Sequence, residues 1–296
     1  MDLRQLEYVV AVVDHGGFTR AADALLVAQP SLSQGVRTLE AELGVPLFHR
    51  LGRRVELTSA GEALLEPARR MLRDAATARA AVAEVAGVAA GRLDIAALPT
   101  LAVDPVAPLV GAFRSAHPGV AVHVTEPEEG GAVGDMVRSG RVELGLTDLS
   151  SPGGAAGDDL VAEPLLEQDV FAVCPPGTKV PRGRLPVGRL EDMPLVATPP
   201  GTSTRRLVDA ALASAGIEAR VAVEISHREA ILPLVLAGAG TSFLPEPLAE
   251  EAARRGAVVA RLDPPLARTI GLVHRNAPLS PAARAFADLA RERLTI

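Results

Sequence analysis

Residues 18–50 read FTRAADALLVAQPSLSQGVRTLEAELGVPLFHR, a run in which two helical patterns are separated by a short break. We expect Thr19 to cap the first of these helices, and Pro30 stands where the first turn of the second would start. The second helix should end at Gly44 and bury four apolar residues at helical spacing: Leu32, Val36, Leu39 and Leu43. With an earlier helix capped by Asp2, this pattern fits a helix-turn-helix whose third helix has a polar face.

The segment after the third helix is rich in arginine and predicts a short β-hairpin. Gly52 provides its turn, and three arginines surround the tip: Arg50, Arg53 and Arg54. A hairpin of this kind beside a helix-turn-helix would be a wing. On the residue pattern alone, a plain three-helix bundle with solvated polar positions is an equal alternative.

The same residues resemble a known family. Residues 18–50, followed by RRVELTSAGEALL at 53–65, are similar to the N-terminal domain of the LysR-type transcriptional regulators, and the remainder agrees in layout and length. The resemblance implies a winged helix-turn-helix DNA-binding domain over residues 1–58, a linker and dimerisation helix over 59–90, and an effector-binding domain over 91–296. It also implies a homotetramer, built as a dimer of dimers, that binds double-stranded promoter DNA.

A recognition helix needs side chains that reach base edges and others that hold phosphate. Gln29 and Gln34 carry amides that suit adenine, and Arg37 suits guanine. Ser31 and Ser33 lie in the first turn of the helix, where hydroxyls and backbone N–H groups can bind phosphate. The alternative for each residue is an ordinary solvated surface position.

The wing arginines Arg53 and Arg54 suit the DNA backbone or the minor groove. By the resemblance, the positions most often at the DNA are Gln29, Pro30, Ser33, Gln34, Arg37 and Arg53. Two positions depart from the family pattern. Ala28 stands where Ser or Thr is usual, and Gly35 lies inside the recognition helix.

Residues 59–90 form one long helical pattern whose only proline is Pro67. Ser59 followed by Glu62 three residues later is typical of a capping box. Two apolar series recur every seven residues: Leu64, Met71, Ala78 and Val85, and Ala68, Ala75, Val82 and Ala89. This spacing predicts a seam that contacts a partner helix. The alternative is a single helix that packs on its own domain.

Residues 91–296 alternate short apolar strands with helices, which predicts a parallel α/β sheet. The strands are expected at 93–98, 120–124, 144–147, 170–174, 195–197, 221–224, 241–243, 258–262 and 270–274. The resemblance implies a two-lobed, periplasmic-binding-protein-like α/β fold with a small-molecule effector between the lobes. Lobe I would comprise about 91–162 and 268–296, and lobe II about 163–267.

Ligands of such folds bind at the carboxyl ends of strands, beside helix N-termini. The residues expected to line the effector site lie at these junctions: Pro99, Thr100, Leu101, Thr147, Thr198, Thr202, Ser203 and His227. Hydroxyls and free backbone N–H groups at helix N-termini favour negative charge, so we expect an anionic effector. Thr202 and Ser203 could instead only cap a helix, and a lone His227 could be structural.

The composition excludes several classes of protein. The chain has 296 residues, 48% of them hydrophobic, and a net charge of −6, which excludes intrinsic disorder and leaves room for about two domains. Cys174 is the only cysteine, so no intrachain disulfide framework can form. The first residues lack the apolar run of a signal peptide, and no stretch reaches the ~18–20 apolar residues of a membrane span. We therefore expect a cytoplasmic protein without membrane contact.

Charge alone gives DNA binding no support. Residues 1–92 hold 11 basic and 11 acidic residues, so the net charge of −6 falls on the rest of the chain. This balance does not exclude DNA binding, because affinity depends on a few placed arginines rather than on the total charge.

Motifs for catalysis are absent from the sequence. There is no Gly-x-Ser-x-Gly, no phosphate loop and no His-Glu-x-x-His, and the six histidines lack metal-ligand spacing. We therefore expect no enzyme, no cofactor and no metal. The alternative to a regulator is a solute-binding or enzymatic α/β protein whose N-terminal helices only mediate assembly. In a third reading, the C-terminal domain serves assembly and binds no ligand.

Overall fold

The computed structural model describes residues 1–51, 54–85, 91–150, 159–180, 184–218 and 220–294. The first part contains three helices, a hairpin and one long helix. Their bounds are α1 Leu3–Asp14, α2 Phe18–Ala24, α3 Gln29–Leu43, β1 Phe48–Leu51, β2 Arg54–Leu57 and α4 Ser59–Val85. This order confirms the expected winged helix-turn-helix followed by a linker helix.

Most of the helix boundaries in this part follow the local sequence. The Asp2 carboxylate accepts a hydrogen bond from the Gln5 backbone N–H at 2.8 Å and begins α1. α2 begins one residue before Thr19, directly after Gly17, so the expected Thr19 cap is wrong. Gly44 ends α3 with a φ of 73°, a conformation that favours glycine.

The buried stripe of α3 is shorter than the spacing predicts. Leu32, Val36 and Leu39 are fully buried, as expected, but Leu43 is 41% exposed. Residues 41–46 are all exposed, because the chain leaves the domain core at the end of α3. The apolar face that fixes α3 therefore ends at Leu39.

The hairpin is the expected wing. β1 and β2 pair antiparallel from Phe48 opposite Leu57 to Leu51 opposite Arg54. The predicted turn residue Gly52 and the predicted DNA contact Arg53 lie outside the described residues.

Thr58, rather than Ser59, caps the linker helix. Its hydroxyl donates to the Pro46 carbonyl oxygen at 2.7 Å and accepts from the Gly61 N–H at 3.0 Å. The predicted capping box of Ser59 and Glu62 is wrong, because the Glu62 N–H donates to the Thr58 carbonyl oxygen instead. One hydroxyl thus ties the start of α4 to the residues that lead into the wing.

The linker helix uses part of its apolar seam within its own domain. Ala68 is fully buried in the N-terminal core, and Leu64 packs against the same core. The interpretation that all of these positions face a partner helix is therefore wrong for these two. Met71 is 43% exposed and Val82 is 72% exposed, so both are free to meet another surface. Ala89 lies outside the described residues.

The second part of the chain has two lobes. Lobe I contains β3 Gly91–Ala97, α5 Pro99–Leu101, α6 Ala107–Ala116, β4 Val120–Thr125, α7 Gly130–Arg138, β5 Leu144–Asp148 and α11 Pro281–Leu294. Lobe II contains β7 Arg184–Pro186, β8 Leu195–Ala197, α8 Ser203–Ser214, β9 Val221–Glu224, α9 Ile231–Leu236, β10 Ser242–Pro245 and α10 Glu246–Arg254. The two remaining strands belong to both lobes: β6 Leu160–Cys174 and β11 Val258–Arg275.

Those two long strands correct the sequence prediction. Residues 258–262 and 270–274 were expected to be separate strands, but both lie in β11, which pairs antiparallel with β6 along its length. The pairing shifts register between Arg261 and Leu266, where Asp263, Pro264 and Pro265 interrupt the apolar pattern. The large sheet has the order β10-β6-β11-β5-β3-β4 and is mixed rather than purely parallel.

The buried apolar side chains form separate cores on the two sides of this crossing. One core lies in lobe I and includes Phe113 and Phe286. Two others lie in lobe II, around Phe243 and around Val235. Each lobe is thus packed on its own, and the paired strands join them.

Packing explains why position 35 in α3 is glycine, although glycine is a poor helix former. A Cβ atom there would lie 2.6 Å from Cδ2 of Tyr8, so glycine allows the α1 ring to lie directly on α3. Gly111 in α6 offers a contrast, because nothing lies within 4 Å of a Cβ there.

We predict that Gly35→Ala destabilises the N-terminal domain by about 1–3 kcal/mol through overpacking against Tyr8. Gly111→Ala should instead stabilise lobe I by up to about 1 kcal/mol, since it only improves helix propensity. Tyr8 is the only tyrosine and the chain has no tryptophan, so tyrosine fluorescence during urea unfolding reports the N-terminal domain alone. Circular dichroism during urea unfolding measures the stability of lobe I in Gly111→Ala. If Gly35→Ala unfolds at the same midpoint urea concentration as the wild type, the predicted overpacking against Tyr8 is contradicted.

Candidate functional site

The recognition helix presents a polar face on the outside of the N-terminal domain. Its buried side, Leu32 to Leu39, is fixed against α1 and α2, which leaves the other side in solvent. The expected DNA-contacting residues on α3 that are exposed are Gln29, Pro30, Ser31, Gln34 and Arg37. Arg37 makes no hydrogen bond or ion pair to any described residue, so its five donors are available.

Ser33 differs from its neighbours. It is only 8% exposed, and its hydroxyl accepts a hydrogen bond from Gln29 Nε2 at 2.8 Å. Ser33 therefore positions the Gln29 amide, and only Gln29 of this pair is exposed.

The N-terminus of α3 has no side-chain cap. Ala28 occupies the capping position, and no side-chain acceptor binds the first N–H groups of the helix. The Ser31 N–H donates to the Ala28 carbonyl oxygen at 3.0 Å, and Pro30 has no N–H. The Gln29 N–H is therefore the backbone donor that this first turn can offer to a phosphate. The side chain of Arg54, the other expected wing contact, lies outside the described part of the structure.

A polar clamp joins the linker helix to lobe I of the same chain. Arg73 in α4 donates to the carbonyl oxygens of Gly140 at 2.7 Å and Arg141 at 2.9 Å. It also pairs with the buried carboxylate of Asp94 at 3.2 Å. One residue later, Asp74 pairs with Arg275 at 2.7 Å. The clamp therefore contacts the middle of β3 and the end of β11.

A cavity of about 380 Å³ lies at the boundary between the lobes. Lobe I contributes Pro99, Thr100 and Val103 to its wall, and lobe II contributes Thr198, Arg228 and a group of apolar residues. Three of the residues expected at the effector site therefore line one cavity: Pro99, Thr100 and Thr198.

The other expected effector residues do not line this cavity. Leu101 and Thr147 have no exposed surface, and Thr202 and Ser203 are each 4% exposed. His227 is exposed to solvent beside Arg228. Sequence reasoning placed these residues near the cleft by their position after strands, but it could not tell which side chains point into it.

The hydroxyl protons of Thr198 and Thr202, both in lobe II, are already used in hydrogen bonds. Thr202 donates its single hydroxyl proton to the Pro199 carbonyl oxygen at 3.0 Å. In its 2.6 Å contact with Thr198, Thr202 must therefore accept, so the Thr198 proton is also used. Neither hydroxyl has a proton for a ligand.

The strongest polar feature of the boundary is Arg268, which sequence reasoning missed. It lies in β11, is 1% exposed, and is opposite Gln168 of β6. Its guanidinium donates to Gln168 Oε1 at 2.6 Å and to Thr100 Oγ1 at 2.9 Å. Nη1 is buried without a partner among the described residues. The available signal was an arginine at a position where the alternation with Leu266 and Ile270 predicts a buried side chain.

Burial and two nearby charges act on the Arg268 guanidinium. Burial lowers the pKa of its guanidinium to about 10, because the charged form loses hydration. The Asp148 carboxylate acts to raise that pKa, and the nearby Arg228 guanidinium lowers it. Arg228 forms an ion pair with Glu128 of lobe I, and its Nε is buried without a partner. Each of the two arginines thus has one buried N–H donor without a partner among the described residues.

Two negative findings apply to the described residues. No group of three histidine, cysteine or acidic side chains among them could hold a metal ion. No helix in the same part of the chain is both long and apolar enough to cross a membrane.

Comparison with known families matches both parts of the chain. Residues 3–62 match the family described as "Bacterial regulatory helix-turn-helix protein, lysR family". Residues 86–295 match the family described as "LysR substrate binding domain". Together these two families account for nearly the whole chain.

Full-length relatives and solved structures agree with these matches. The nitrogen assimilation regulatory protein nac of Klebsiella aerogenes is 31% identical, over 98% of this chain and 94% of its own length. A variant of full-length OxyR from Pseudomonas aeruginosa superposes with a TM-score of 0.76 at 26% identity, covering 98% of this chain and 93% of its own. Full-length CbnR in complex with its target DNA gives a TM-score of 0.66 at 26% identity, covering 99% of both chains.

Proposed function

Since this chain belongs to the LysR family of bacterial transcriptional regulators, we propose that it binds promoter DNA through α3 and the wing and responds to a small anionic effector held between its lobes. The observation that carries this proposal is the free polar face of α3, joined by one helix to a two-lobed domain with a cavity at its lobe boundary. CbnR, a relative in structure, is known in complex with its target DNA.

We propose that DNA binding, dimerisation and effector binding are divided over residues 1–58, 59–90 and 91–296, with one adjustment. Leu64 and Ala68 are part of the N-terminal core, so the first turns of α4 belong structurally to the DNA-binding domain. We propose a non-enzymatic, cytoplasmic regulator without a cofactor. Its relatives are transcriptional regulators, which disfavours the alternative of an enzymatic α/β protein.

Six residues of the DNA-binding domain are proposed to contact DNA directly. They are Gln29, Pro30, Ser31, Gln34 and Arg37 on α3, and Arg53 on the wing. Ser33 is proposed to position Gln29, because its hydroxyl is already bound to that amide. Arg37 is the strongest candidate for reading a base, since its guanidinium is exposed and unpaired among the described residues.

We predict that Arg37→Ala weakens binding to the DNA upstream of the protein's own gene by about 1–3 kcal/mol, while binding to unrelated DNA changes little. Arg53→Ala should weaken binding to both DNAs and reduce the salt slope by about one. Fluorescence anisotropy at two salt concentrations measures both effects. Arg138→Ala, in lobe I, is the control. Wild-type specific affinity in both DNA-contact variants would contradict the assignment.

Self-association is proposed to use the exposed part of the linker helix. Met71 and Val82 are apolar and exposed, and they lie eleven residues apart in one seam, as two a/d positions do. Small alanines between them allow two helices to approach closely. The proposed assembly is a dimer through α4 that forms the homotetramer of the family.

We predict that Met71→Glu combined with Val82→Glu dissociates the dimer, because it places charge in an apolar seam. Sedimentation velocity should show a smaller species than wild type. Ala76→Glu is the control, since Ala76 is exposed on the same helix but outside the seam. A wild-type protein that sediments as one chain at micromolar concentration would refute the proposal, as would an unchanged assembly in the double variant.

A further inference from the structure

The wing is joined to the recognition helix by a stretch of chain that does not pack into the domain core. Residues 41–46 are all exposed, and Gly44 ends α3 in a left-handed conformation with a φ of 73°. An exposed connection of this kind does not by itself fix where the wing lies relative to α3. Other contacts must therefore set the position of the wing.

Glu40 makes a direct connection from α3 to the wing. Its Oε1 accepts hydrogen bonds from the backbone N–H groups of Leu47 at 2.8 Å and Phe48 at 3.3 Å. Phe48 is the first residue of β1, and Leu47 directly precedes it. Both residues are buried. One carboxylate oxygen on α3 thus holds the start of the wing across the exposed segment.

Two further contacts hold the same point of the chain to other helices. The Phe48 ring packs edge-on against Phe18 at the start of α2, with 5.5 Å between the ring centroids. Thr58, which caps α4, donates its backbone N–H to the Leu47 carbonyl oxygen at 2.9 Å. These contacts join the wing to α2 and α4. Among the hydrogen bonds of the described residues, those of Glu40 are the ones that join it to α3.

A carboxylate so close to a DNA-binding surface needs an explanation, because it repels phosphate. Glu40 lies one helical turn after Arg37, the proposed base contact, on the same helix. Its role as a double acceptor provides the explanation, since buried N–H groups need partners and no other described side chain accepts from these two. The wing therefore requires the acceptor oxygen of Glu40 rather than its negative charge.

We infer that Glu40 is a positioning residue for DNA binding, which fixes the wing relative to α3 so that both reach the DNA together. α3 suits the major groove and the wing suits the backbone or the minor groove, so their separation must match the geometry of the duplex. A wing that is held in place before binding loses less freedom on the DNA, which raises affinity. This inference rests on the proposed DNA binding and adds a residue that does not itself contact DNA.

A matched pair of variants isolates the acceptor. Glu40→Gln removes the charge but keeps an oxygen acceptor, whereas Glu40→Met removes both and keeps the length of the side chain. Both replacements are good helix formers, so the propensity of α3 changes little in either variant. Glu42→Gln is the control for charge, because Glu42 also lies on α3 but pairs with the N-terminal ammonium group.

Affinity for the DNA upstream of the protein's own gene should separate the pair. By fluorescence anisotropy, Glu40→Gln and Glu42→Gln should bind within about threefold of wild type, whereas Glu40→Met should bind about tenfold more weakly, with a salt slope lower by about one. The loss should be similar on unrelated DNA, since phosphate contacts carry no sequence information. Tyr8 fluorescence shows whether each variant is folded. Equal affinity of Glu40→Gln and Glu40→Met would overturn the inference.

Double-mutant cycles then show whether Glu40 acts through the wing. In a background that carries Arg53→Ala and Arg54→Ala, the difference between Glu40→Gln and Glu40→Met should fall below about twofold, because the wing contacts are already lost. In an Arg37→Ala background it should stay at about tenfold. A difference of the same size in both backgrounds would reveal a merely structural role and overturn the inference.

Amide hydrogen exchange measures the positioning without DNA. The amides of Leu47 and Phe48 should exchange about tenfold faster in Glu40→Met than in Glu40→Gln, since their acceptor is gone. Equal protection in the two variants would overturn the inference. Wild-type protein that binds no DNA refutes the proposed function and with it the effect on affinity, whereas normal DNA binding with equal protection refutes only the role of Glu40.

Discussion

The pairing of β6 with β11 is the interaction on which the two-lobed part of the molecule depends. These strands run through both lobes, so their backbones carry the chain across the boundary and the hydrogen bonds between them hold the two crossing strands together. Arg268 and Gln168 form a cross-strand pair within this ladder, and their side chains are joined at 2.6 Å. A buried guanidinium is costly unless it is compensated. At the crossing this cost is offset by hydrogen bonds to Gln168 and Thr100 and by the charge of the Asp148 carboxylate.

The same strands also connect the cavity to the linker helix. Asp94, in the middle of β3, pairs with Arg73 of α4, and β3 leads into Thr100 at the cavity. β11 contains Arg268 at the boundary and ends at Arg275, which pairs with Asp74 of α4. Two strands thus connect the boundary between the lobes to the clamp. A ligand that changes the relation of the lobes acts on the elements that hold the linker helix.

Much of the N-terminal domain could be predicted from its sequence because its signals are local. Asp2 as a cap, Gly44 as a helix end and the buried spacing of Leu32, Val36 and Leu39 all depend on neighbours a few residues away. The errors arose where a distant contact decided the outcome. Thr58 caps α4 because the Pro46 carbonyl oxygen is also in reach, and Ala68 is buried because the N-terminal core lies beside it.

The cavity was harder to predict for the same reason. Of the residues predicted from their position after a strand, Pro99, Thr100 and Thr198 line the cavity at the lobe boundary. It could not show that the hydroxyl protons of Thr198 and Thr202 are already used, because this depends on the fold of their loop. Arg268 was missed because the two prolines before it break the apolar pattern and hide one continuous strand. Its importance follows from a partner 100 residues away.

The central claim is that occupation of the cavity and promoter binding are linked in one molecule. The direct measurement is the dissociation constant for promoter DNA with and without a saturating small carboxylate that raises the protein's melting temperature, together with that for the carboxylate with and without DNA. Linkage requires the two affinities to change by the same factor, and a typical coupling of about 1–3 kcal/mol corresponds to roughly 5–150-fold. We predict equal factors within this range. Tight carboxylate binding that leaves the DNA affinity unchanged would contradict the account.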